Sequence, residues 1–396
     1  MQRGLAAALL ALLLLALGAT AAGAHANVIA TEPQQSARYP KNAPPKSIGV
    51  IFDQPVNAKA NAITVYDGAG RAMPGTLRKQ TAKVRIDYDV AKLPEGSFVA
   101  IWSVVSNDGH PEHGAITFTV GAGGTSLADI SGLLAKASSG RAMGIANGID
   151  RAVAFIACLV LVGGVVFVRW RWPDALARRD ITNALLTVAS VGVVATLLSI
   201  PLQAGYITAG GGVSTLWNDS AVGDVVSARF GHAALVRVAL FAILGMLVLV
   251  RAHGAAGTAA TVGAVVAGLG IFAAYAYAGH GDTGRWPALG FSTDVAHLAG
   301  AALWLGGLVV LVVALRDRAS TAMPSTTTAT RRFSKLALPA VAVIVLSGVI
   351  QGWRQVATWD ALWHTSYARL LILKVLVVLA IVIVATEFGR RFAFSR

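Results

Sequence analysis

Charge is what this chain has least of. Of its 396 residues only 13% are Asp, Glu, Lys or Arg, while 55% are hydrophobic and the mean hydropathy is +0.64. Soluble domains carry about 25% charged residues, so a wholly soluble protein is excluded, and so is a disordered one. Cysteine is rarer still. Cys158 stands alone, which excludes an intramolecular disulfide and a cysteine-rich zinc or iron–sulfur site. There is no phosphate-binding Gly-Lys loop, so no ATP hydrolysis is legible. The single excess is positive: 33 Lys and Arg against 19 Asp and Glu, a net charge of +14. Nucleic-acid binding is the first reading of such a balance. It falls away once the charges are placed, because many of them separate apolar runs too long for a soluble fold.

Residues 1–24 read as a signal peptide: a basic start at Arg3, a short apolar core ending at Leu17, and an Ala22-Gly23-Ala24 cleavage signal. Cleavage there makes His25 the new N-terminus. Residues 25–120 hold ten basic and eight acidic residues and are close to neutral. Alternation with period two runs through Val84, Ile86 and Tyr88, through Phe98, Ala100, Trp102 and Val104, and through Ile116, Phe118 and Val120. Each run predicts a strand with one buried face. Turn signals such as Asp67-Gly68, Pro94-Glu95-Gly96 and Asp108-Gly109 separate them, and the spacing predicts a small all-β sandwich. Residues 121–145 are rich in Gly and Ser and read as a linker.

From there to Arg396 the chain is a series of apolar runs. Seven spans are expected, at roughly 150–168, 182–205, 231–250, 258–279, 294–315, 336–353 and 367–387. With the β-domain outside, the inner loops hold thirteen Lys and Arg, as the positive-inside rule requires. The spans also repeat. Gly163-Gly164 in span 1 matches Gly306-Gly307 in span 5. Ser199 to Gln203 in span 2 matches Ser347 to Gln351 in span 6, and Arg237 in span 3 matches Lys374 in span 7. Equivalent spans run in the same direction, so the repeat is parallel, with its axis along the membrane normal.

One constellation carries metal chemistry. A mature N-terminal His25 offers its α-amine and ring Nδ1 to one ion. Asp108-Gly109-His110 adds a carboxylate and a second imidazole, and a square N,O set of this kind suits Cu(II). The Asp-Gly-His stretch alone reads as a hairpin turn with a solvated His; it is the pairing with His25 that favours a metal. His113, three residues on, is either a spare ligand or a surface residue.

At these residues the sequence resembles a known family. "HANVIATEPQQSARYP", "IGVIFDQPV" and "LPEGSFVAIWSVVSNDGHPEHGAITFTV" resemble the periplasmic copper-binding CopC family across residues 25–120. The resemblance implies a cupredoxin-like β-barrel or sandwich with one Cu(II) held by His25, Asp108 and His110. Two features depart from the family: Gln54 stands where a Glu is frequent, and Met73 is the only methionine available for a Cu(I) site. Residues 146–396 resemble the CopD inner-membrane family through "STDVAHLAGAALWLGGL", "RRFSKLALPAVAVIVLSGVI" and "YARLLILKVLVVLA". The whole then resembles a CopC–CopD fusion. That implies a multi-pass protein of a bacterial inner membrane, its N-terminal domain on the periplasmic side, importing copper and serving copper homeostasis and resistance. Copper, the lipid bilayer and periplasmic copper donors are its expected partners, and no enzymatic activity is expected.

Ionisable groups at the outer span ends mark a candidate membrane copper site. His280 and Asp282 close span 4. Asp294 and His297 open span 5, spaced i, i+3 on one helix face. The spans hold one methionine, Met246, so a methionine ladder for Cu(I) is excluded. Two other readings stand beside import. One is an oxidative enzyme built on the N-terminal His. The other is a haem or quinone oxidoreductase using His232, His280, His297 or His364.

Overall fold

The structure is a computed structural model. It describes residues 26–355, apart from 59–61, 79–82, 107–108, 123–131, 133–140, 209–212, 251–253, 280–285 and 317–323. The expected signal peptide, His25, Asp108, His280, Asp282, His364 and the seventh span at 367–387 lie outside the described residues.

Ten strands form the N-terminal domain: β1 (Val28–Glu32), β2 (Ala37–Tyr39), β3 (Ser47–Phe52), β4 (Val56–Asn57), β5 (Ile63–Asp67), β6 (Ala72–Met73), β7 (Gly75–Leu77), β8 (Arg85–Val90), β9 (Gly96–Ser106) and β10 (Pro111–Val120). They make two sheets. One has the order β1-β3-β8-β7. The other has the order β2-β10-β9-β5-β6, with β4 paired to β9. The inward residues of both sheets meet in one core that holds Phe52, Phe98, Phe118, Ile48, Ile86 and Trp102. Phe52 and Trp102 pack edge to face at 5.5 Å, and Phe98 stacks on Phe118 at 5.4 Å. Gly114 pairs with Trp102 across the β9–β10 ladder, where a Cβ would run into the indole.

The alternation in β9 implied one buried face, and the structure corrects this. Val99 and Ile101, on the other face, are also buried. β9 is a central strand. Val99 is flanked by Thr117 and Tyr66, and Ile101 by Ala115 and Thr64, so cross-strand neighbours shield both.

The second part is helical: α1 (Arg141–Arg171), α2 (Arg179–Tyr206), α3 (Asp219–Ser227), α4 (Arg229–Leu249), α5 (Gly254–Ala278), α6 (Pro287–Arg316) and α7 (Pro324–Gln355). All but α3 are long and apolar enough to cross a membrane. α1 begins at Arg141, inside the stretch expected to be linker and nine residues before the expected span. Its first turns carry Asn147, Asp150 and Arg151, which lower the local hydropathy. The helix continues through them because Asn147 and Asp150 are buried inside the protein.

α1 sits at the centre, packed against α2, α5 and α6. The two glycine pairs that revealed the repeat meet each other there. A Cβ on Gly163 would strike the carbonyl of Ala302, and one on Gly306 would strike the backbone of Gly164. Small residues let helix backbones touch where lipid supplies no hydrophobic drive.

Candidate metal site at the domain junction

The tip of the β9–β10 hairpin is built by Gly109 and His110. Gly109 has φ +85°, a conformation that favours glycine. Its N–H donates to Ser106 O at 2.9 Å, and Ser106 N–H donates to His110 O at 2.9 Å. The tip is docked on the helices. The side-chain amide of Gln203, at the end of α2, donates to the carbonyl of Gly109. Asn147 of α1 donates to the Gln203 carbonyl at 3.0 Å and holds the amide in that orientation. The His110 ring stands edge-on to Tyr206, 6.2 Å between centroids.

Behind the tip lies a cavity of about 450 Å³. Its wall takes Arg151 from the start of α1, Ser199 near the end of α2, Arg237 from the first half of α4, and Gly279 just past α5. Asp294 and His297 come from the start of α6, and Gln351 from the end of α7. Starts and ends alternate in chain order, so the six long helices run alternately up and down, with the cavity at the β-domain end of each.

Three expected site residues therefore share one wall: His110, Asp294 and His297. Asp294 and His297 face the same space, as their i, i+3 spacing requires. His297 Nδ1 lies 3.0 Å from Ser347 Oγ. That hydroxyl lies 2.5 Å from the Val343 carbonyl and 3.2 Å from the Ile344 carbonyl; when it donates to either, its oxygen accepts from Nδ1–H. This tautomer leaves the ring lone pair on Nε2, the form that ligates a metal. Ser347 is one of the residues matched in the internal repeat. Among the described residues, no three His, Cys, Asp or Glu side chains converge closely enough to hold an ion. Of the other histidines, His113 and His232 are exposed.

The sequence reading missed Gln203 and Asn147. The available signal was the recurrence of a Gln at the ends of spans 2 and 6, a polar residue repeated in apolar surroundings.

The CopC domain family matches residues 28–121. A copper resistance protein D-like N-terminal domain matches residues 144–286, and copper resistance protein D matches residues 327–392. Together these matches give the chain the architecture of a CopC–CopD fusion. Its CopC domain is the β-sandwich, and its CopD part supplies the long apolar helices of a multi-pass membrane protein of the copper transport and resistance class. The copper transport protein CutJ of Bacillus subtilis is 29% identical over 399 residues, covering 94% of this chain and 70% of CutJ. Among solved structures, CopC from Methylosinus trichosporium OB3b is 26% identical over 26% of this chain and 100% of that one, with a TM-score of 0.23. PcoC, a methionine-rich copper resistance protein from Escherichia coli, is 22% identical over 24% of this chain and 99% of that one, with a TM-score of 0.21.

Proposed function

We propose that the CopC domain captures Cu(II) outside the membrane through His25, Asp108 and His110, and that copper then passes inward through the CopD part. One observation carries this reading: His110 of the sandwich lines the same cavity as Asp294 and His297 of the membrane helices. A capture loop that opens on the membrane cavity needs no diffusing step between the two. His280 and Asp282, outside the described residues, are further ligands in this reading. The inner loops carry Arg169, Arg171, Arg178 and Arg179, which hold no lone pair for a metal. The fusion thus resides in a bacterial inner membrane with the CopC domain on the periplasmic side, and its role is import in the service of copper homeostasis.

The deciding measurement is cellular copper content. Cells making the intact chain accumulate copper faster than cells without it. His297→Ala with His280→Ala abolishes the difference at equal membrane abundance, while Cu(II) binding by the CopC domain survives. His110→Ala, or one residue inserted before His25, lowers Cu(II) affinity by orders of magnitude. It reduces accumulation only when copper is scarce. Normal accumulation in the His280 and His297 double variant returns both residues to a structural role.

A further inference from the structure

The cavity wall has two chemistries, and copper uses only one of them. His110, Asp294 and His297 offer lone pairs. Arg237, Arg151 and Gln351 offer N–H groups, which a metal ion cannot use.

Arg237 is the informative residue. It is 6% exposed, on a membrane helix. Its Nε donates to the Ala233 carbonyl at 3.2 Å, and its guanidinium stands 4.3 Å from the centre of the Tyr275 ring. Among the described residues no carboxylate pairs with it. A buried cation without a counter-charge is costly in a membrane protein and marks a functional site. Arg151 lies at the same distance from the Phe230 ring as Arg237, 5.7 Å each, so two cations flank one side of the cavity. Gln351 Nε2 is buried and has no hydrogen-bond partner among the described residues. Among the described lining residues, a bare dication entering here meets the guanidiniums of Arg151 and Arg237 beside the carboxylate of Asp294. The space, about 450 Å³, is in the range that holds a small organic ligand.

We infer that copper occupies this cavity as a complex with a small carboxylate. Asp294 and the imidazoles face the metal, while Arg237, Arg151 and Gln351 bind the carboxylate. Arginine is suited to this, since its planar fork matches carboxylate geometry. The carboxylate lowers the charge of the complex and supplies a counter-ion to Arg237, which has none among the described residues. This inference rests on the import reading and adds the chemical form of the cargo.

The test uses the purified full chain in detergent, radiolabelled glycine as the carboxylate, and rapid gel filtration with and without Cu(II). Glycine is retained only in the presence of copper. Arg237→Gln lowers its retention about tenfold or more, and Gln351→Leu lowers it several-fold, the loss expected of charge-assisted and neutral hydrogen bonds respectively. Copper-loaded chain that retains no glycine, or retention unchanged in both variants, overturns the proposal. Cellular copper accumulation is measured in parallel. If Arg237→Gln loses glycine yet accumulates copper normally, the carboxylate is overturned and import stands. If the wild type retains copper glycinate but drives no accumulation, the carboxylate site stands and import is overturned.

Discussion

The two halves of this chain treat the same side chains in opposite ways. In the CopC domain, arginines find carboxylates. Arg71 pairs with Asp67 at 2.8 Å, Arg85 with Glu32 at 2.6 Å and Asp87 at 2.9 Å, and Arg78 with Asp89. In the CopD part, arginines find the ends of helices. Arg169 donates to the Leu247 and Val250 carbonyls at the end of α4. Arg229 donates to Tyr277 O at the end of α5, at 2.7 Å, and Arg332 donates to Arg171 O at the end of α1, at 2.6 Å. Among the described residues, Arg178, paired with Asp180 at 2.6 Å at the start of α2, and Arg237, bonded to Ala233 within α4, depart from this. The last carbonyls of a helix have no partner within it and carry the negative end of its dipole. In water an arginine–carboxylate pair gains little. Inside a bilayer, an orphan carbonyl and a buried guanidinium each lose more by staying alone.

Packing differs in the same way. The sandwich core is made of large side chains, whereas the α1–α6 contact includes a point, at Gly163, Gly164 and Gly306, where backbone meets backbone. The largest expected effect therefore comes from adding atoms to the membrane part. Gly163→Val forces a side chain into the Ala302 carbonyl, and overpacking without room to relax costs more than the usual ~1–3 kcal/mol. The variant should lose its monodisperse peak in detergent size-exclusion chromatography. If it elutes like the wild type, the contrast between the two cores is broken.

The next effect comes from removing atoms from the sandwich. Phe52→Ala empties a fully buried site against Trp102, with an expected loss of ~3–5 kcal/mol. Protease cleavage of the full chain should rise within residues 26–120 and stay unchanged in the helices. Equal sensitivity in both regions would mean that they unfold as one unit.

The smallest effect is a pH dependence confined to the sandwich. Asp67 accepts from the backbone N–H of Arg71 at 2.9 Å and of Ala69 at 3.0 Å, and from Arg71 Nε at 2.8 Å. These bonds hold its carboxyl below the usual range. Its folded value lies below its unfolded one, so the stabilisation is present above the unfolded value, about 3.9, and fades as pH falls through the lower folded value. The thermal stability of the sandwich should fall as the solution is acidified from pH 6 towards 3, and Asp67→Asn should flatten that slope slightly.

Much of this was legible before the structure. Long alternation in Phe98, Ala100, Trp102 and Val104 gave β9. The two-residue strands β4 and β6 show no alternation, because two residues are too few to carry a period. Six spans were visible as apolar runs, but their outer ends were not. Asn147, Asp150 and Asp294 look like reasons for a helix to stop. Here they continue it, because the cavity and the protein interior take the place of lipid around them. The i, i+3 pair of Asp294 and His297 was readable from spacing. The docking of Gly109 on Gln203 was not, since it joins residues 94 positions apart and depends on how two folded parts meet.

The crossing of Gly163-Gly164 with Gly306 has a mechanical consequence. Interlocked side chains resist rotation, because turning one helix on another forces rotamers over barriers. Two bare backbones in contact have no such teeth. They resist separation, since nothing else fills the gap, yet they turn on one another with little friction. The repeat places this contact between its two halves, as a bearing is placed between two levers. Were one half to rock against the other, its fulcrum would lie there, and the mouth at His110 and Asp294 would lie at the end of the lever arm, where a small rotation becomes the widest displacement.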